Sequence, residues 1–483
     1  MDNSKKLVVK GIFWNAIQLV VNQSFTFVIR LVLAKLLFPE QFGIVGMATV
    51  FTGFVQVLND IGIGAALVQK KDENLREEHF HTAFWTGLGW SVFLYAVISF
   101  LVGPLAADFY SQPILTKLIP VISLGILSSP VNLIHKAQLT KRMDFKKMAF
   151  IDNISNIIAG SLSLILAFSG FGIWSLAFNS VASIAITIPL YFSATKWTPK
   201  RMWSYSAFKD VFGFGVYTTG TGVINYLINN VDYLLIGKLL TAQALGSYTF
   251  AFVLTDTFRG RMMAVINNVM YPMYGKKQSD PESLKKYYLK VVNYNSLVIY
   301  PIMVFFVTLG DPFTVNVFGD KWQESVFPLK ILSISVMIHM LVNSNTALIR
   351  GMGRPKLELK LQLIKAAIYI PILIFSIYYY GIVGAACAIL INKVFAVIIA
   401  QYTFNNLLNI KISALEFFSA VKTPWIGAIV AFVISTVLFE QFHVHYIIAG
   451  TILFLIYVVT IWLIMGNEFK AQFAELRLSK KKL

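Results

Sequence analysis

Five polar side chains, Asn15, Gln18, Asn22, Thr26 and Arg30, recur at steps of three and four residues in an otherwise apolar stretch. On a helix this spacing puts all five on one face. The pattern returns as Thr218, Thr221, Asn225, Asn229 and Asp232, and the first four of these follow their counterparts by 203 residues. Thr49, Thr52, Gln56 and Asp60 form a third stripe, matched at the same offset by Thr255 and Arg259. Amides, hydroxyls and sparse charges without a nucleophile–base pattern suit binding and passage rather than bond cleavage. Two readings stand: hydrogen bonds that glue helices together, or the wall of a shared water-filled cavity. Recurrence of the stripes on the opening helix pair of each half favours the cavity.

Charges inside apolar runs narrow the chemistry. Arg259 and Lys393 fall near the middle of their runs. An Arg at a helix centre costs about 2.5–3.5 kcal/mol on insertion scales and marks function by default. Asp256 lies three residues before Arg259, so a local ion pair is the competing explanation. Arg30 and Asp232 lie nearer the outer ends, and Arg30 would serve equally as a snorkelling anchor. Arg261 receives no role. Fixed cations in a cavity suit an anion, since Arg grips phosphate through two parallel bonds. The substrate-cavity set is therefore Arg30, Arg259, Lys393, Asn22, Asn225, Gln18, Gln56 and Asn229. Asp60, Asp232 and Asp256 are the residues for ion coupling or ion pairing.

The elements that must carry these residues follow from composition. The chain has 483 residues, 57% hydrophobic and 13% charged, with mean hydropathy +0.68. Soluble domains carry about 25% charged residues, so lipid is the solvent this composition fits. Each hydrocarbon crossing needs roughly 20 apolar residues on a helix. Barrel strands would be about ten residues long and alternate in polarity; these runs are longer and do not alternate. Fourteen spans are expected: 11–33, 42–68, 80–103, 114–135, 150–169, 172–193, 208–236, 244–270, 287–309, 326–349, 361–380, 381–404, 421–440 and 444–465. Tight glycine-containing turns separate the fifth span from the sixth and the eleventh from the twelfth. Met1 to Lys10 is basic and no small-residue cleavage site follows, so the first span is expected to be a retained anchor.

Orientation follows from the 41 basic residues. With both termini in the cytoplasm, 32 lie on that side and five outside: Lys35, Lys117, Lys238, Lys321 and Lys330. Four, Arg30, Arg259, Arg261 and Lys393, are counted within spans, and basic residues close to a span's end are counted with the adjoining side. This bias is the positive-inside pattern, and it accounts for the net charge of +18 through topology and anionic lipid rather than nucleic acid.

An internal repeat organises the spans. Lys35-Leu36-Leu37 with Gly43 matches Lys238-Leu239-Leu240 with Gly246 at offset 203. Phe171-Gly172-Ile173 with Ala177 matches Tyr380-Gly381-Ile382 with Ala386 at offset 209. Six spans per repeat give two parallel six-helix lobes around a central cavity, at 1–205 and 206–406. Residues 407–483 add two further spans and a basic cytoplasmic tail. Pro120, Pro130, Pro189, Pro301 and Pro371 lie in or near spans and are expected to kink them.

Other chemistry is weakly represented. Cys387 is the single cysteine, which excludes a disulfide framework and a cysteine metal cluster. His443 and His445 sit in a short outer loop and read as solvated rather than metal-binding. His339 lacks the context of an acyltransferase histidine. Phosphate-binding glycine loops, Walker lysines and nucleophile elbows are missing from the sequence. No cofactor or metal, and no enzymatic activity, is expected.

Several segments resemble a known family. Phe38-Pro39-Glu40-Gln41-Phe42-Gly43, then Asp60-Ile61-Gly62-Ile63-Gly64-Ala65-Ala66-Leu67-Val68-Gln69, are similar to the opening of polysaccharide exporters. The basic connection Lys141-Arg142-Met143-Asp144-Phe145-Lys146-Lys147 is similar too. The family is the Wzx-like, colanic-acid and teichuronic-acid exporter type of the multidrug/oligosaccharidyl-lipid/polysaccharide superfamily. The resemblance implies alternating-access flipping of an undecaprenyl-diphosphate-linked oligosaccharide across the bacterial cytoplasmic membrane, for O-antigen or exopolysaccharide assembly. It implies as partners the lipid-linked glycan, membrane lipids and the polymerase and glycosyltransferases of the same pathway. Related precursor flippases use basic residues on the first, second and eighth helices. Arg30 and Arg259 match the first and eighth, whereas the second offers Gln56. An ion-coupled multidrug exporter of the superfamily is the alternative. A membrane glycan polymerase or ligase is a further one, although the longest outer loop expected is only about 16 residues.

Overall fold

The computed structural model describes residues 25–59, 63–70, 73 and 75–481, with side chains set aside at 65, 69, 211–221, 261–262, 264–269 and 467–481. Every regular element among the described residues is helical. Ten helices among them are long and apolar enough to cross a membrane. The protein is therefore a multi-pass α-helical membrane protein. Lipid leaves the backbone no other means of satisfying its polar groups except a closed barrel.

The chain divides into two compact units, Met1–Gly246 and Ser247–Leu483. The first begins with α1 over 25–36. It continues with α2 (Pro39–Asn59), α3 (Ile63–Gln69) and α4 (Glu77–Val97), which runs through a π turn into α5 (Gly103–Tyr110). α6 (Leu115–Ser123) contains Pro120 and passes through a 3-10 turn into α7 (Ser129–Lys141). α8 (Phe145–Phe168) and α9 (Ile173–Thr195) pack along each other, and α10 (Tyr205–Leu239) packs on α2, α3 and α4. α11 (Ala242–Lys276) starts in this unit and continues in the next.

Three fastenings tie α10 into the first unit. Near its start, Lys70 Nζ donates to Asp210 Oδ2 at 2.5 Å, beside His79 Nε2 at 2.8 Å. Midway, the Tyr226 hydroxyl faces the carbonyls of Thr49 and Val50 on α2, at 3.1 and 2.9 Å. At its end, Lys238 Nζ donates to the Phe109 carbonyl at 2.6 Å, in the last turn of α5, where cations also answer the helix dipole. The division by contact falls one helix later than the lobe boundary expected at 205/206.

The second unit holds α12 (Pro281–Phe318), a 3-10 turn, α13 (Val326–Met340), α14 (Asn345–Gly351), α15 (Pro355–Tyr402), α16 (Ala414–Glu440) and α17 (Tyr446–Lys481). α13 packs against α12 and α15, and α16 against α12 and α17. Local sequence sets several starts. Asp280 caps α12 by accepting from Ser283 N (3.1 Å) and Ser283 Oγ (2.6 Å), which holds its carboxyl below the usual carboxylate range. Ser413 and Glu416 form a reciprocal capping box on α16.

Both expected glycine turns are present in one conformation. Gly172 has φ 54°, ψ −125° and Gly381 has φ 55°, ψ −138°, a region an L side chain adopts only with strain. Ala177 and Ala386, five residues beyond, are both fully buried. At Gly381 the chain doubles back inside α15. A Cβ on Gly384 would overlap the Ser376 carbonyl eight residues earlier, whereas a straight helix separates such residues by roughly 12 Å.

Candidate functional site

Arg259 projects from α11, and its guanidinium is held on two sides. Nε donates to Asp256 Oδ1 at 2.6 Å, and Nη2 forms an ion pair with the same oxygen. Nη1 lies 3.2 Å from His339 Nε2 and 4.0 Å from Met263 Sδ. The local pair and a substrate contact are compatible. A guanidinium has five N–H donors, and these partners leave donors over. The Arg259 and Asp256 side chains keep 21% and 28% of their exposure, so the pair is not sealed from an incoming group.

The electrostatic surroundings are cationic. Lys393, Arg259 and Lys365 all act on the His339 ring. Lys365, half-buried on α15, is in turn within the field of Glu358. Glu358 is 6% exposed and is taken by Arg350 and Gln362. Among these named residues four cations face two carboxylates, Asp256 and Glu358. Between α13 and α14 the helix breaks, and the buried Asn343 leaves both its amide atoms without a hydrogen-bond partner among the described residues.

Two members of this cluster lie beyond sequence reasoning. His339 has no context in its own segment, and its tie to Arg259 spans 80 positions, which no local spacing reveals. Lys365 reads as one of the cytoplasmic charges because it lies close to the start of its apolar run. Its position three turns into α15 is what brings it toward His339.

Most of the remaining polar residues belong to the first unit. Arg30 is exposed on α1 and Thr26 half-buried. On α2, Thr49 and Gln56 are exposed, while Thr52 is buried and donates to the Thr49 carbonyl at 3.3 Å. On α10, Asn225 is half-buried, Asn229 exposed and Asp232 4% exposed. Thr255 on α11 bonds to its own helix at the Ala251 carbonyl. Asn15, Gln18, Asn22 and Asp60 lie outside the described residues, as do the side chains of Thr218, Thr221 and Arg261. Groups of three or more His, Cys, Asp or Glu able to hold a metal do not occur among the described residues.

A family model described as polysaccharide biosynthesis protein matches residues 32–327. The chain belongs to this family. Among curated relatives, the teichuronic acid biosynthesis protein TuaB of Bacillus subtilis (strain 168) is 27% identical over 308 residues, 63% of each chain. The lipopolysaccharide biosynthesis protein WzxC of Escherichia coli (strain K12) is 23% identical over 82% of this chain and 81% of its own. The succinoglycan biosynthesis transport protein ExoT of Rhizobium meliloti (strain 1021) is 23% identical over 72% and 70%. Among solved structures, the lipid II flippase MurJ in an inward closed conformation superposes with TM-score 0.75 at 15% identity, covering 95% of this chain and all of that one. An inward-facing multidrug resistance MATE family transporter gives 0.63 at 16% identity, covering 83% and 98%. These two likenesses concern the fold.

Proposed function

We propose that this family member is a flippase for an anionic lipid-linked oligosaccharide of the polyprenyl-diphosphate class, moved across the bacterial cytoplasmic membrane by alternating access. The observation that carries the reading is Arg259: a cation near the middle of a span, in contact with His339, on which Lys365 and Lys393 also act, with donors left after its own partners. A diphosphate supplies what this arrangement lacks, namely negative oxygens in bidentate geometry. The relatives' printed names, which concern biosynthesis and transport of cell-surface glycans, support the substrate class. A cationic drug would suit such a cluster poorly. The role is transport, with no catalytic residue assigned.

The finer architecture belongs to the same reading. Counting the two arms at Gly381 separately, and adding α1, α10 and α11 to the ten crossing helices, gives fourteen spans. Two lobes at 1–205 and 206–406, with 407–483 appended and both termini cytoplasmic, agree with the repeat offsets and the distribution of Lys and Arg. Arg30, Gln56, Asn225 and Asn229 in the first unit, like Arg259 and Lys393 in the second, are proposed as residues that contact the substrate on its way. The test is reconstitution of the full chain in vesicles with a fluorescent polyprenyl-diphosphate oligosaccharide in one leaflet. Protein-dependent movement to the other leaflet that is lost in Arg259→Ala is expected. Movement no faster than in protein-free vesicles would overturn the proposal.

A further inference from the structure

His339 is the last-turn residue of α13 whose ring meets Arg259, and the chemistry of that contact is one-directional. A guanidinium only donates, so at 3.2 Å His339 Nε2 must accept with its lone pair. The imidazole is then the neutral tautomer with its proton on Nδ1. Nδ1 is buried and has no hydrogen-bond partner among the described residues. The ring is thus spent on a single interaction, the one to Arg259.

Its mounting is firm. α13 is wedged between α12 and α15, with Leu329, Leu332, Val336, Met337 and Met340 buried along it. Arg259, by contrast, reaches out on a long stem that loses about 2 kcal/mol of rotamer freedom when fixed. Asp256 comes from the same helix, one turn away, and by itself would let the guanidinium ride with local motion of α11. His339 comes from a different helix and pins the other edge of the fork.

We infer that His339 is a positioning residue: its Nε2 lone pair fixes the plane of the Arg259 guanidinium so that the remaining donors present a preset fork to a diphosphate. The inference rests on the proposed function, and it assigns His339 no contact with the substrate. Its role is pre-organisation, which lowers the ordering cost of binding.

The experiment is a double-mutant cycle on the purified full chain in nanodiscs, titrated with inorganic pyrophosphate and read by calorimetry. With Arg259 intact, His339→Leu should weaken binding about tenfold, the worth of one hydrogen bond to a charged group. In the Arg259→Lys background the same change should leave affinity within about twofold, because an ammonium has no plane to fix. His339→Gln, whose amide oxygen replaces Nε2, should restore most of the binding, and His339→Asn, whose oxygen falls near Nδ1, should not. If His339→Leu does not accumulate, the Gln and Asn variants carry the comparison, and equal affinity in those two overturns the inference. Equal loss with Arg259 intact and in the Arg259→Lys background, or no loss in either, also overturns it. If Arg259→Ala binds pyrophosphate as tightly as the native chain, the proposed function itself fails at this site, whatever the His339 variants do.

Discussion

Gly43 and Gly246 pack against each other's helices reciprocally. A Cβ on Gly43 would overlap the carbonyl oxygen of Ala242, and a Cβ on Gly246 would overlap that of Pro39. Both glycines and both carbonyl residues stand 203 positions apart. Backbone therefore lies on backbone where α2 crosses the start of α11, an approach open only to residues without a side chain.

That crossing yields the first prediction. Gly43→Ala should force α2 and α11 apart and destabilise the protein by about 1–3 kcal/mol, the usual cost of overpacking. Gly246→Ala should do the same. The double variant should cost well under the sum, since one displaced crossing accommodates both methyls. Thermal unfolding of the detergent-purified chain measures this, and an unchanged melting temperature for either single variant would contradict the close approach.

The motif at this crossing is readable in the chain, whereas its partner is not. The two Lys-Leu-Leu segments with their glycines stand out as a repeat, but a repeat says that two segments are alike, not that they touch. The same limit applies at the cation cluster. Asp256 and Arg259 sit one helical turn apart, and their pairing follows from spacing alone. His339 joins them only through the tertiary packing of α13, a relation carried by ordinary apolar residues. Lys365 is hidden because hydropathy fades at span ends and leaves a charge there looking like loop. The helical, membrane-spanning class is plain because lipid permits so few backbone arrangements. The grouping of α10 with the first unit is not, since its fastenings at Asp210, Tyr226 and Lys238 meet residues more than a hundred positions away.

The second prediction separates a substrate role of Arg259 from a scaffold role. Arg259→Ala should abolish glycan export at normal membrane abundance, and Arg259→Lys should be partly active because it keeps the charge and loses the fork. Were the pair with Asp256 merely structural, Arg259→Ala would leave a carboxylate unpaired in the bilayer and lower abundance. Asp256→Asn would then repair it. Full rescue of both abundance and export in the Arg259→Ala/Asp256→Asn double variant would leave Arg259 as scaffold.

The third prediction concerns the two glycine turns. Gly172→Ala and Gly381→Ala each place a Cβ in a backbone region that costs about 1–3 kcal/mol. Comparable losses of thermal stability are expected at the two sites, because their dihedral angles nearly coincide. A large loss at one and none at the other would show that the two reversals are not equivalent.

The fourth prediction is topological. A reporter that is active only in the cytoplasm should work when fused after Lys482, and one that requires export should stay silent there. The reverse result would overturn the orientation argued from the basic residues.

The cations at Arg259, Lys365 and Lys393 are fixed to helices and stay with the protein through any cycle. On the proposed function, then, the charge delivered from one side of the membrane to the other includes that of the cargo but not these cations. A cell interior that is negative pushes a diphosphate outward, with electrical work of about 2.3 kcal/mol per charge for each 100 mV. The cluster would lower the barrier that an anion meets in lipid, while the voltage supplies a direction. Collapsing the potential should therefore slow export without weakening pyrophosphate binding.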